Sequence, residues 1–215
     1  MTVIRAIAVF AAAVLTFGAA SAHAEAPKAG ADIAACAWSH LPAADRTSIL
    51  SAYHDAGADG IAGHVDKATA ALTPHQAAVK AAYAQCDATP GVPADWIEAA
   101  IVAQALQTGA SAELASHRQI ATDVLTAAWT KAPDDTRQCI MAYAGSGFAL
   151  AQSDCANLKA LLWYPTQVGI DPTQDANKPD AEHVFVYMYA KGLEDWSQAL
   201  IRHFEGDAAP ESLLN

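Results

Sequence analysis

Thr73-Pro74-His75-Gln76 leads into Ala77-Ala78-Val79-Lys80-Ala81-Ala82-Tyr83-Ala84-Gln85-Cys86. Thr73 suits an N-cap, Pro74 suits the first helical position with its fixed φ, and Gln76 stands where a capping box places its second partner. Alanine, the strongest helix former, then recurs through the segment. The whole chain has that character: 54 of its 215 residues are alanine and strand-favouring residues are sparse. The reading is an all-α fold, and a β-sandwich or barrel is excluded on composition.

Working outward, the same start and stop signals predict about seven to nine helices in one domain. Asp32 to His40 is a short helix, and Pro42 opens a second that runs to about Asp55. The segment quoted above ends near Cys86. Ala94 to Gln107 is helical, and Ser111 begins another helix that reaches Lys131. Pro133 starts the helix that carries Cys139 and stops at Gly145-Ser146-Gly147; a further helix runs from Phe148 to near Tyr164. Pro165 to Pro179 reads as the longest irregular stretch. Asp180 to Phe204 is helical, with an interruption expected at Gly192.

Residues 1–24 have a different layout. Arg5 precedes an apolar run from Ala6 to Ala20, followed by Ala22-His23-Ala24, which is the pattern of a secretory signal peptide cleaved before Glu25. The run is too short to span a bilayer. The mature chain, residues 25–215, is expected to be soluble and exported: periplasmic in a bacterium, secreted otherwise. Loss of Arg5 leaves 11 basic residues against 23 acidic. That balance argues against nucleic acid as a partner. Ile33-Ala34-Ala35-Cys36 has the form of a lipobox, but Glu25, Lys28 and Asp32 separate it from the apolar run, so Cys36 is assigned to a disulfide.

All four cysteines lie in the mature chain, and an even count in an exported protein indicates two disulfides. A hairpin turning at Gly145-Ser146-Gly147 places Cys139 opposite Cys155, because residue 147 is their midpoint. That pairing leaves Cys36 with Cys86. No C-x-x-C or C-x-x-C-H spacing occurs, so thioredoxin-like chemistry, haem attachment and compact zinc sites lack their usual signatures.

A near-repeat runs through the chain. Trp38-Ser39-His40-Leu41-Pro42 with Arg46 and Ile49 recurs 91 residues on as Trp129-Thr130-Lys131-Ala132-Pro133 with Arg137 and Ile140. Asp95-Trp96 recurs as Asp195-Trp196. This is read as a duplication of helical halves, 32–110 and 123–205.

Two acidic loops resemble degenerate calcium loops. In the first, Asp55, Asp59 and Asp66 fall at positions 1, 5 and 12 of a twelve-residue loop with Gly60 at position 6. In the second, Asp171, Thr173, Asp175, Asn177 and Glu182 supply side-chain oxygens. Calcium is the one cofactor these patterns suggest, and turns built from Asp and Gly are the ordinary alternative. The seven mature histidines form no zinc-protease or di-iron spacing. Glu113 and His117 share a helix face, and Glu182-His183 is the better candidate pair for a metal. Trp163, Tyr164, Tyr187 and Trp196, with other aromatics of the C-terminal quarter, are candidate walls of a ligand pocket. No nucleophile elbow or phosphate loop is present. The leading expectation is therefore a non-catalytic binding or scaffold protein for an unidentified protein or small ligand. The rivals are a weak calcium-binding protein and a hydrolase of envelope polymers using a carboxylate pair.

Overall fold

The computed structural model describes residues 33–57, 59–86, 91–147 and 158–204, with the side chains of 158–162 left aside. Residues 1–24, expected to be a signal peptide, and Cys155 lie outside the described residues. The architecture is all-α, a single bundle, and no strand occurs among the described residues. In chain order the helices are α1 (Ile33–His40), α2 (Ala43–His54), α3 (Gly60–Leu72), α4 (Gln76–Tyr83) and α5 (Ala94–Arg118). They continue as α6 (Thr122–Thr130), α7 (Asp134–Gly145), α8 (Leu158–Gln167) and α9 (Lys178–Phe204). Short 3₁₀ turns at Thr73–His75 and Asp175–Asn177 precede α4 and α9.

The long helices α5 and α9, 25 and 27 residues, form the axis of the bundle. They run antiparallel: Trp96 at the start of α5 meets Phe204 at the end of α9 edge-on, and Arg118 at the end of α5 pairs with Asp180 in the first turn of α9. α5 is buried nearly all round, through Ile97, Ala99, Ala100, Ile101, Val102, Ala103, Ala105, Leu106 and Ala110. A helix apolar on every face belongs at the centre of a bundle, and its alanines let neighbouring helices approach closely. α1 to α4 pack on one side of this axis, while α7 packs along α9, and α6 and α8 complete that half.

Three helices begin on proline. Pro42, Pro93 and Pro133 are N-caps with φ between −52 and −54° and extended ψ, and the carbonyls of Pro42 and Pro133 accept the first helical bonds from Arg46 and Arg137. At the N-cap proline has no N–H to lose, and its carbonyl is free to start the ladder. The Trp38–Pro42 and Trp129–Pro133 corners share this geometry, and Ile49 and Ile140 are both fully buried beyond them. The Asp-Trp pairs occupy different settings: Trp96 opens α5, while Trp196 lies well inside α9.

Two expected helix breaks are corrected. α5 runs through Gly109 and ends at Gln119, which takes φ 58°; α9 runs through Gly192. Both glycines serve packing. A Cβ on Gly109 would lie 2.5 Å from Cγ of Tyr53, and one on Gly192 would lie 2.7 Å from Cγ2 of Ile140. Likewise α8 carries Pro165 into its last turn and closes at Gly169, φ 80°, where the Ile170 N–H donates to the Pro165 carbonyl. The irregular stretch is shorter than the proline count suggested because proline in a final turn breaks little of the ladder.

Thr73 closes α3, its hydroxyl donating to the Thr69 carbonyl, so it does not cap α4. Gln76 bonds the Glu98 carboxyl on α5 in place of a capping-box partner. The Cys36–Cys86 disulfide is present, with a Cα separation of 5.9 Å, and ties α1 to the turn after α4. It closes a loop of 50 residues, which the chain-entropy relation values at about 4 kcal/mol. No described cysteine has a free thiol; the Cys139–Cys155 pairing falls on a residue outside those described. No described helix is long and apolar enough to cross a membrane.

Candidate functional site

The end of the α5/α9 pair at Arg118 and Asp180 gathers a set of histidines and carboxylates. The last turn of α2 supplies Tyr53 and His54, the first turns of α3 supply Gly60 and His64, α5 supplies Glu113 and His117, and the start of α9 supplies Asp180, Glu182 and His183. The arrangement follows from packing. Gly109 admits the Tyr53 ring against α5, and this seats α2 low enough for its C-terminus to face the start of α9.

Each group has a partner except one. Tyr53 Oη and His183 Nδ1 are 2.8 Å apart, and His54 Nδ1 lies 2.8 Å from Glu113. Glu113 also faces His117 at 3.6 Å, one helical turn along α5. Arg118 holds Asp180 and donates to Asn177 Oδ1, fixing the start of α9. Glu182 reaches back to α3, where its Oε1 accepts the Gly60 N–H at 3.0 Å. That contact caps α3 from a residue 122 positions away, while Asp59, at the N-cap position itself, makes no side-chain capping bond.

His64 is the exception. It is 1% exposed, it stacks on Tyr53 with ring centroids 4.3 Å apart, and neither ring nitrogen has a partner of hydrogen-bonding geometry. Its nearest charge is Glu182, whose Oε1 lies 3.7 Å from Nε2. Burial lowers the His64 pKa, with Glu182, the Tyr53 carbonyl and Asp59 pulling the other way. Burial likewise lowers His183 against the pull of Glu113, and the neighbouring His64 adds to the lowering. Tyr53 is raised, first by burial and then by Glu113 and Glu182. The corner therefore favours two neutral imidazoles, the form in which imidazole binds a metal or accepts a proton.

Of the residues expected from sequence, Glu182 and His183 are brought into this corner. Glu113 and His117 are there too, engaged mainly through His54 and Asp180. The two acidic loops have other arrangements. Asp55 ends α2, Asp59 precedes α3, and Asp66 lies exposed a turn and a half into α3, so the twelve-residue spacing is taken up by helix. In the second loop, Asp171 accepts the Thr173 N–H and hydroxyl and the Gln174 amide, and these bonds lower its pKa. Asp175 pairs with Lys178, and Asn177 bonds Arg118 and the Asp171 carbonyl. The side chains of this loop are engaged in holding the turn that feeds α9. Glu182, its last expected ligand, instead meets Gly60 of the first loop.

Of the aromatic set, Tyr164 and Tyr187 are buried in the core, and Trp163 and Trp196 are half-buried against it. Tyr164 is fully buried with its hydroxyl donating to the Leu125 carbonyl, and Tyr187 Oη lies 3.0 Å from the Thr126 hydroxyl. Trp163 contacts the Tyr164 ring, and Trp196 covers Gly145. His54, His64 and Tyr53 were not expected as a group, because no fixed spacing links residues on α2, α3 and α9. One signal was available: His64 falls on the apolar stripe of α3 with Val65, Ala68 and Leu72.

Elsewhere, the one group of three His, Cys, Asp or Glu donors lying mutually within 4.8 Å among the described residues is Cys36, His40 and Cys86. Compared with protein-family models, curated proteins and solved structures, the chain matches none.

Proposed function

We propose that the mature chain is an exported, non-catalytic binding protein whose ligand, seated at the histidine corner, is a divalent cation of the imidazole-preferring kind, with zinc as the type case. The observation that carries this reading is His64. Burying an imidazole without hydrogen-bond partners costs about 1–3 kcal/mol, and a ligand on Nε2 removes the share carried by that nitrogen. The 3.7 Å between Nε2 and Glu182 Oε1 is close to the roughly 3.4 Å edge of a tetrahedron with ~2.1 Å metal–ligand bonds. The His183 ring lies beside this pair, its centroid 6.1 Å from that of His64. The Tyr53 hydroxyl on His183 Nδ1 would orient that ring as second-shell groups orient metal-bound imidazoles.

The deciding experiment is thermal melting and calorimetric titration of the oxidised mature chain with zinc, with calcium in parallel. Zinc raises the melting midpoint of the native chain and binds one equivalent; calcium, which takes oxygen ligands, does not. His64→Phe keeps the ring against Tyr53 but removes both nitrogens. It melts higher than the native chain without metal and loses the zinc response. An unshifted native midpoint, or the same zinc shift in His64→Phe, overturns the reading. A calcium shift without a zinc shift favours the acidic loops instead.

A further inference from the structure

We infer that Cys36, Cys86 and His40 form a second, reduction-opened site for a thiophilic divalent cation. Cys36 and His40 are four residues apart on α1, one helical turn, so both project from the same side of the helix. Cys86 arrives from the turn after α4. The three donor atoms already lie within 4.8 Å of one another. His40 is exposed, and no hydrogen bond or ion pair to another described residue engages its ring. Both cysteines are only half-buried, which leaves the bridge within reach of an attacking thiolate.

The chemistry turns on the state of sulfur. A disulfide carries no thiolate charge, so in the oxidised chain His40 is a lone donor. A dithiol reductant transfers two electrons and two protons to the bridge: the S–S bond breaks, two protein thiols form, and the reductant leaves as its own disulfide. The cation then displaces both thiol protons and is held by two thiolates and one imidazole. Zinc–sulfur bonds of ~2.3 Å set two sulfurs roughly 3.8 Å apart. The cysteine Cα atoms, 5.9 Å apart, accommodate that distance by side-chain rotation. Three protein ligands leave a fourth position open to solvent, the layout of sites that exchange or pass on a ligand, whereas structural zinc sites are closed by four. The cross-link between α1 and α4 is then kept by metal when the covalent bond is lost.

Cobalt(II) is the probe, because thiolate-to-cobalt absorption reports sulfur ligation and is blind to the histidine corner. The oxidised full mature chain shows no such band. After phosphine reduction it takes up one equivalent of cobalt with the band, and zinc displaces it. His40→Ala keeps the band and binds at least tenfold more weakly. Cys86→Ser loses the two-thiolate band even though Cys139 and Cys155 are also reduced. Four results overturn the inference: no band on reduction, a band that survives Cys86→Ser, unchanged affinity in His40→Ala, or a reduced chain whose helical circular dichroism is lost and not restored by the metal.

Discussion

Midway along the α5/α9 interface, Glu194 is as deeply buried as His64 is near its end, at 1% exposure each, yet the two are built in opposite ways. The Glu194 carboxylate accepts from Gln104 Nε2 at 2.6 Å and Gln107 Nε2 at 3.0 Å, and Lys191 pairs with it one turn earlier on α9. Burial draws the lysine pKa down, but the charge and hydrogen bond of Glu194 outweigh it and hold the pKa above the usual value. These three partners come from the two helices themselves and make the cluster a structural network. The histidine corner draws on four helices and leaves one buried side chain without hydrogen bonds. A polar cluster shared by two helices fixes their register, while the buried imidazole of the other corner is where the proposed cation would be held.

Breaking the Glu194 cluster has the largest effect expected. Glu194→Ala strands Lys191, Gln104 and Gln107 without their acceptor and costs about 3–5 kcal/mol, measured by urea denaturation. Next is Gly109→Ala, which seats a methyl against the Tyr53 ring. The gain in helix propensity, about 1 kcal/mol, is smaller than an overpacking cost of about 1–3 kcal/mol, so a net loss is expected. Because Tyr53 holds both His64 and His183, the same variant also reduces the zinc response.

The two clusters should also separate by pH. The His64 and His183 pKa values are lowered in the folded state, so the unfolded chain binds protons first as pH falls. Stability is fully present above the unfolded histidine pKa of about 6.5 and declines as pH drops through and below it toward the folded values. Urea midpoints between pH 7.5 and 5 show this slope in the native chain, and His64→Phe makes it shallower. The smallest effect is at the exposed pair Asp175–Lys178, with side chains 91% and 66% accessible. Asp175→Asn leaves the urea midpoint within experimental error, since exposed pairs contribute little.

How much of this was legible in the sequence depends on whether the cause was local. Pro42 and Pro133 mark helix starts because proline acts on its own φ and on the one N–H it lacks. The sequence suggests breaks at Gly192 and between Gln107 and Ser111, because a glycine such as Gly109 or Gly192 looks the same whether it ends a helix or admits Tyr53 or Ile140 across it. Among the expected site residues, Glu182-His183 carried a visible signal because adjacent metal-binding types stand out. His64 carried only its place on an apolar stripe, and its lack of a partner is a property of the assembled core.

The sequence by itself determined that the chain is helical and, with one inferred hairpin, that Cys36 would find Cys86. Both rest on interactions within a few residues, or on a short list of pairings. Only the tertiary structure decided which helices are continuous, which acids merely hold turns, and where histidines meet carboxylates. The physical reason is distance along the chain. Tyr53 and His183 are 130 residues apart and Gly60 and Glu182 are 122 apart, so no local pattern encodes contacts that exist only once α5 and α9 have packed.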